Sequence, residues 1–92
     1  MIRSFRCSET KAIFEGRGGR KYRNIEEAAK RRLDALHAAV SLNGLGAIRS
    51  NHLEALAGDR KGRHSMRVNL QWRICFVWRE GHAWDVEIVD YH

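Results

Sequence analysis

Alternation of apolar and polar positions is strongest between Arg63 and Val89. His64, Met66 and Val68 alternate with Arg63, Ser65 and Arg67. Trp72, Ile74, Phe76 and Trp78 alternate with Gln71, Arg73, Cys75 and Val77, and Trp84, Val86 and Ile88 alternate with Asp85, Glu87 and Val89. Period two over three segments predicts an antiparallel meander with one face on a core. Register follows from parity, because a slip of one residue exchanges the faces. A turn through Glu80-Gly81-His82 keeps the apolar faces aligned when Trp78 faces Trp84, Phe76 faces Val86 and Ile74 faces Ile88. The same register sets Arg73 against Val89 and Gln71 against Tyr91. A turn through Asn69-Leu70-Gln71 sets Val68 against Trp72, Met66 against Ile74 and Arg67 against Arg73.

The first half of the chain has a different period. Ile2 to Phe5 reads as a short first strand, with Ile2 and Ser4 on one face and Arg3 and Phe5 on the other. Ser8 then caps a short helix, Glu9 to Glu15. A second helix is predicted from Asn24, where Asn24 and Glu27 have the spacing of a capping box. Ile25, Ala29, Leu33, Leu36 and Val40 recur at spacings of three and four and make its buried face. Leu33, Leu36 and Val40 are expected to meet the tryptophans of the sheet. On the opposite face Glu26 pairs with Lys30 and Glu27 with Arg31, one turn apart. Lys30-Arg31-Arg32 reads as a solvated face and His37 as an ordinary surface residue. Asn43-Gly44-Leu45-Gly46 ends the helix, and irregular chain follows through Ala57, with Ile48, Leu53 and Leu56 packing back. Gly58 to Gly62 reads as a turn.

Composition narrows the class. Ninety-two residues, 1–92, are expected to form a single domain with a modest core. Seventeen Lys and Arg against eleven Asp and Glu give a formal charge of +6, which favours a polyanionic partner, nucleic acid first. Gly16 to Arg23 carries three glycines and four cations. It reads either as a phosphate-contacting arm or as a solvated connection, and it lacks the spacing of a phosphate-binding loop. Cys7 and Cys75 fit no metal-ligand spacing and read as reduced thiols of a cytoplasmic protein. Neither a signal peptide nor a run of membrane-spanning length is found. No cofactor or metal is expected.

Arg67 and Arg73, opposite each other on the face away from the helix, need an explanation, since like charges on facing strands repel. Arg63 lies on the same face and Tyr91 is diagonal to Arg73. Acidic neighbours such as Glu87 and Asp85, a bound phosphate, or plain solvation would each account for them. Were the phosphate that of RNA, cleavage would use the neighbouring 2′-hydroxyl as nucleophile. That requires a base, an acid for the leaving 5′-oxygen, and cations for the phosphoryl oxygens. Arg73 and Arg67 suit the cation role. His92 titrates nearest neutrality. Asp90 accepts a proton or orients His92, provided the strand ends or twists there, and Tyr91 donates a hydrogen bond or stacks on a base. A frayed terminus is the plain alternative.

Leu-Glu-Ala-Leu-Ala-Gly-Asp-Arg-Lys-Gly-Arg-His-Ser-Met-Arg-Val-Asn (53–69), Gln-Trp-Arg-Ile-Cys-Phe (71–76) and Val-Glu-Ile-Val-Asp-Tyr-His (86–92) together resemble the HigB-type toxins of the RelE/ParE toxin–antitoxin superfamily. The opening Met-Ile-Arg-Ser-Phe is similar too, so the resemblance covers nearly the whole chain. It implies an α+β, RelE-like fold, with two N-terminal helices packed on one face of a small curved antiparallel-rich sheet. It implies a type II toxin that cleaves mRNA in the decoding site of the 70S ribosome. The implied partner is a HigA-type helix-turn-helix antitoxin, with operator DNA bound only through their complex. By motif, Arg73 corresponds to the family's phosphate-binding arginine, and Asp90, Tyr91 and His92 to its C-terminal catalytic group. Some members carry a histidine and a lysine where this chain has Glu54 and Ala57. Arg60, Lys61 or Arg67 are then the candidates to replace the missing cation, and Glu54 to act as base. The alternative is a non-catalytic inhibitor of a protein target such as DNA gyrase, as in ParE-type relatives. A third is a basic nucleic-acid-binding module without toxicity.

Overall fold

The computed structural model describes residues 1–56 and 62–90. Helix α1 is Ser8–Phe14, α2 is Glu26–Ala38 and α3 is Leu42–Ala47, followed by a 3-10 turn at Arg49–Asn51. The strands are β1 (Glu54–Ala55), β2 (Arg63–Arg67), β3 (Trp72–Arg79) and β4 (His82–Asp90). They form one sheet in the order β1-β2-β3-β4, every neighbouring pair antiparallel. The expected α+β architecture is present, with α3 as an addition. The turn expected from Gly58 lies, except for Gly62, outside the described residues.

The core lies between α1, α2 and the sheet face that alternation marks. Ile13, Ala29, Leu33 and Leu36 meet Met66, Ile74, Phe76, Ala83, Val86 and Ile88, and all are buried. Tyr22 closes one end, its ring edge-on to Trp72 with centroids 5.2 Å apart. Fully burying a side chain of this size contributes about 1.5–3 kcal/mol, so these residues dominate the stability of so short a chain.

Parity sets most of the register. Met66 pairs with Ile74, Arg67 with Arg73, Ile74 with Ile88 and Arg73 with Val89, as expected. The β3–β4 end differs. Arg79 pairs with His82, so the turn has two residues, Glu80 and Gly81, at φ 55° and 78°. Positive φ at both centres is the tight hairpin turn whose twist matches the strands. Trp78 consequently faces Ala83 rather than Trp84. An extra residue, Asp85 at φ 52°, restores the register beyond it as a bulge. Trp84 therefore pairs with Val77 on the outer face and is not in the core. Its indole N–H donates to the Arg79 carbonyl at 3.1 Å, and the Arg79 guanidinium lies 4.5 Å from a Trp84 ring centroid.

Other expectations are corrected nearer the N-terminus. Ile2 and Phe5, not Ile2 and Ser4, share an environment: both bridge in parallel to β4, at Ala83 and Val86. The first helix starts at Ser8 after Cys7, without a side-chain cap. Helix α2 starts after Ile25, so Asn24 does not cap it. Lys30 reaches forward to Asp34 at 2.7 Å instead of back to Glu26, whereas Arg31 does meet Glu27 at 3.4 Å. Ala39 leaves the helix in extended conformation, and Val40 is 89% exposed instead of buried. The chain then turns into α3, where the Ser41 hydroxyl accepts the Gly44 N–H at 3.0 Å, so this stretch is neither the end of α2 nor irregular. His37 is half-buried rather than on the open surface: Nδ1 accepts the Ile2 N–H at 3.1 Å and its ring packs on Phe14.

Strand β4 is an edge that the N-terminal segment covers. Arg3 N–H donates to the Ala83 carbonyl and Arg6 N–H to that of Val86, at 2.7 and 2.9 Å. Further along, the buried hydroxyl of Thr10 accepts the Ile88 N–H at 3.0 Å. These bonds leave little of the edge open to another strand.

Candidate active site

Ser65, Arg67, Arg73 and Cys75 point away from the helices. That face is not simply solvated, because β1 and the residues before it lie alongside β2: Glu54 pairs with Ser65 and Ala55 with His64. Ser65 is fully buried and Arg73 is 6% exposed. A charge so buried must be hydrogen-bonded to persist. Arg73 Nε donates to Ser65 Oγ at 2.8 Å and Nη2 to the Ser65 carbonyl at 3.3 Å. Nη2 also donates to the His52 carbonyl, and Nη1 lies 4.0 Å from the half-exposed Glu54 carboxylate. Arg73 is therefore an anchored cation rather than an open fork.

His52 was not singled out from the sequence. It follows the 3-10 turn in left-handed conformation, φ 43° and ψ 52°. That conformation turns its carbonyl onto Arg73 while its ring Nε2 lies 3.5 Å from Arg67 Nη1. The ring is exposed. One residue thus touches both arginines that parity places opposite each other. No local pattern in the sequence signalled it, because a left-handed residue after a 3-10 turn lies outside any strand or helix period.

The remaining arginine differs. Arg63 Nη2 meets Glu87 at 3.1 Å, and Arg6 shares that carboxylate at 3.3 Å. The acidic neighbour foreseen from the sequence is there, and it serves Arg63. Arg67 has no acidic partner among the described residues.

Asp90, the last described residue, pairs with Trp72 next to the Arg73–Val89 pair. It is exposed, and one carboxylate oxygen accepts a hydrogen bond from Gln71 Nε2 at 3.2 Å. Strand β4 neither ends nor twists before Asp90, so Asp90 keeps the parity of Trp72 and lies on the face opposite the arginine pair, at the end of the sheet. Tyr91, His92, Arg60, Lys61 and Ala57 lie outside the described residues. A histidine shifted by burial lies elsewhere. His64 stacks on Phe76 on the core side, and burial holds its imidazole below the usual histidine range.

A buried, hydrogen-bonded cation, a second cation without an acid and an imidazole against that second cation form a set suited to an anionic substrate and proton transfer. The sequence pattern of the HigB-like toxins, described as the RelE-like toxin of type II toxin–antitoxin system HigB, matches residues 4–92. The chain belongs to the HigB-like toxins. Toxin HigB-1 of Vibrio cholerae serotype O1 is 42% identical over 60 residues, 65% of this chain and 63% of its own length. The matched region thus spans just under two thirds of that relative. Endoribonuclease HigB of Proteus vulgaris is 32% identical over 94 residues, the full length of both chains. Among solved structures, the YoeB–YefM complex from Staphylococcus aureus contains a chain with TM-score 0.61 and 15% identity, covering 100% of this toxin and 98% of that chain. YafQ from E. coli strain BL21(DE3) gives 0.54 at 10%, covering 98% and 93%. At such identities these likenesses show the RelE-like fold alone. As a HigB-like toxin of a type II system the protein has an antitoxin as partner. Among the described residues no helix is long and apolar enough to cross a membrane.

Proposed function

We propose that this HigB-like toxin is a ribosome-dependent endoribonuclease that cleaves mRNA in the cytoplasm and thereby stops translation. The grouping of Arg73, Arg67 and His52 carries the reading. The full-length likeness to an endoribonuclease supports it and disfavours a gyrase inhibitor, which needs no such grouping. In the proposed reaction the 2′-hydroxyl attacks the adjacent phosphorus, its proton passes to a base, and an acid protonates the departing 5′-oxygen. A 2′,3′-cyclic phosphate is left on the upstream fragment. Arg67 contacts the phosphoryl oxygens, and Arg73 supplies fixed positive charge beneath them. Arg63, neutralised by Glu87, adds less.

Proton transfer is assigned to His92 and His52, with Asp90 accepting a proton or orienting His92, and Tyr91 donating a hydrogen bond or stacking on a base. Arg60 and Lys61 are proposed to hold flanking phosphates. His52 thus takes a place that Glu54 and Ala57 do not fill, and Glu54 beside Arg73 is its balancing charge rather than the base. The partner is proposed to be a HigA-type antitoxin, whose complex with the toxin binds operator DNA. The protein is proposed to act as one domain, 1–92. His52→Gln keeps size and polarity but removes the imidazole. It should lower cleavage of ribosome-bound mRNA about 100-fold, the low end of the acid–base contribution, without changing the melting temperature. Unaltered cleavage would remove His52 from proton transfer.

A further inference from the structure

A second basic surface lies away from the arginine pair. A groove of about 510 Å³ runs between α1 and the glycine-rich segment after it, lined by Lys11, Ile13, Arg17, Arg20, Lys21 and Tyr22 among others. Local rules build it. Gly16, at φ 78°, ends α1: its N–H bonds to the Ile13 carbonyl at 3.0 Å and that of Arg17 to the Ala12 carbonyl at 2.7 Å. This paired closure of a helix end favours glycine, and it folds the chain sharply back. Six residues on, Tyr22 is 5% exposed and fixed against Trp72. The segment is thus pinned at both ends while its cations remain exposed. Arg17 meets Glu15, but Lys11, Arg20 and Lys21 have no ion-pair partner among the described residues, and Glu9 is the one acid among the groove's lining residues.

The groove is close to the proposed site. Its wall residue Tyr22 packs on Trp72, and Trp72 pairs with Asp90. Asp90 stands at the end of the sheet on the Trp72 side, one position beyond the Arg73–Val89 pair of the outer face. A strand passing Asp90 would reach the unpaired cations of the groove after crossing Trp72 and Tyr22. We propose that this groove is a second binding site for RNA phosphodiester backbone, contiguous with the cleavage site around the end of the sheet, in which Lys11, Arg20 and Lys21 contact phosphates. An RNA strand fits better than an acidic protein segment because the groove's cations lie around the sheet end from the arginine pair, where the same strand is held. The proposal rests on the endoribonuclease reading. The RNA comes from either of two sources, the mRNA beyond the cut or the ribosomal RNA around it.

The test compares Lys11→Gln/Arg20→Gln/Lys21→Gln with a control that removes three exposed cations elsewhere, Arg3→Gln/Arg31→Gln/Arg49→Gln. Both are first checked for native circular dichroism. Affinity for a 2′-O-methyl single-stranded RNA, which has no free 2′-hydroxyl and is not cut, is measured across salt concentrations, and affinity for 70S ribosomes by sedimentation. Loss of three phosphate contacts on a single strand should flatten the salt slope by about 2, against no such change in the control. A change with the oligonucleotide assigns the groove to mRNA. A change with ribosomes alone assigns it to ribosomal RNA. The proposal is overturned if the groove variant matches the control in both assays, or if only antitoxin affinity falls, which would make the groove a protein site. Because the oligonucleotide is not cleaved, the result stands apart from the cleavage reading. That reading fails separately if the wild-type toxin leaves translated mRNA intact.

Discussion

Ser65→Ala isolates the bond that holds Arg73. The hydroxyl is fully buried and accepts from Arg73 Nε at 2.8 Å. Removing it leaves a charged N–H in a site 6% exposed, where water cannot readily replace the partner. A buried hydrogen bond to a charged group contributes about 1.5–3 kcal/mol. Taking about 2 kcal/mol, a chain of this length should lose about 8–16 °C in melting temperature. Loosening the guanidinium should also reduce cleavage about tenfold, since misplacement by an ångström is costly in catalysis. The assays are thermal unfolding by circular dichroism and cleavage of ribosome-bound mRNA. The pairing itself is tested in an Arg73→Met background, where no N–H remains to be orphaned. There the same Ser65→Ala change should cost less than about 1 kcal/mol. Equal losses in the two backgrounds would refute the reasoning, because the effect would then belong to the serine's packing and not to its bond with Arg73.

Two other expectations concern stability. Thr10→Val keeps shape but removes the acceptor of the Ile88 N–H, so it should cost about 1–3 kcal/mol and speed hydrogen exchange at Ile88 specifically. Burial holds His64 below the usual histidine range, so the folded chain takes up this proton at lower pH than the unfolded chain, which does so below about pH 6.5. Its contribution is therefore present above that pH and is lost as pH falls towards the folded value. Between pH 7.5 and 5 the urea midpoint of wild type should fall more than that of His64→Gln. A parallel fall would assign the pH dependence to other groups.

The parts legible in the sequence are those set by local pattern. Parity alone places Met66 on Ile74, Arg67 on Arg73 and Ile74 on Ile88, because a half-buried sheet tolerates no other register. The same logic misplaces Trp84, since the bulge at Asp85 carries no glycine to announce a positive φ. Val40 continues the spacing of α2 but not its helix. Extended backbone at Ala39 and the Ser41 cap end that pattern two residues too soon. In the site, the arginine pair was readable from strand pairing, but its environment was not. Arg73 is buried because a two-residue strand and a left-handed histidine, distant in sequence, close over it. His52 was invisible for the same reason: its place depends on backbone conformation and long-range pairing, which no local periodicity encodes.

The central claim is mRNA cleavage at the group formed by Arg67, Arg73, His52 and the chain's last residues. Mapping mRNA 5′ ends genome-wide after brief expression tests it most directly, with wild type, Arg67→Ala and a chain lacking His92 compared at equal levels of folded protein. The expected result is a set of new 5′ ends inside translated reading frames for wild type, reduced at least 100-fold in both variants. Intact mRNA with DNA damage in wild type, or undiminished cutting by both variants, would contradict it.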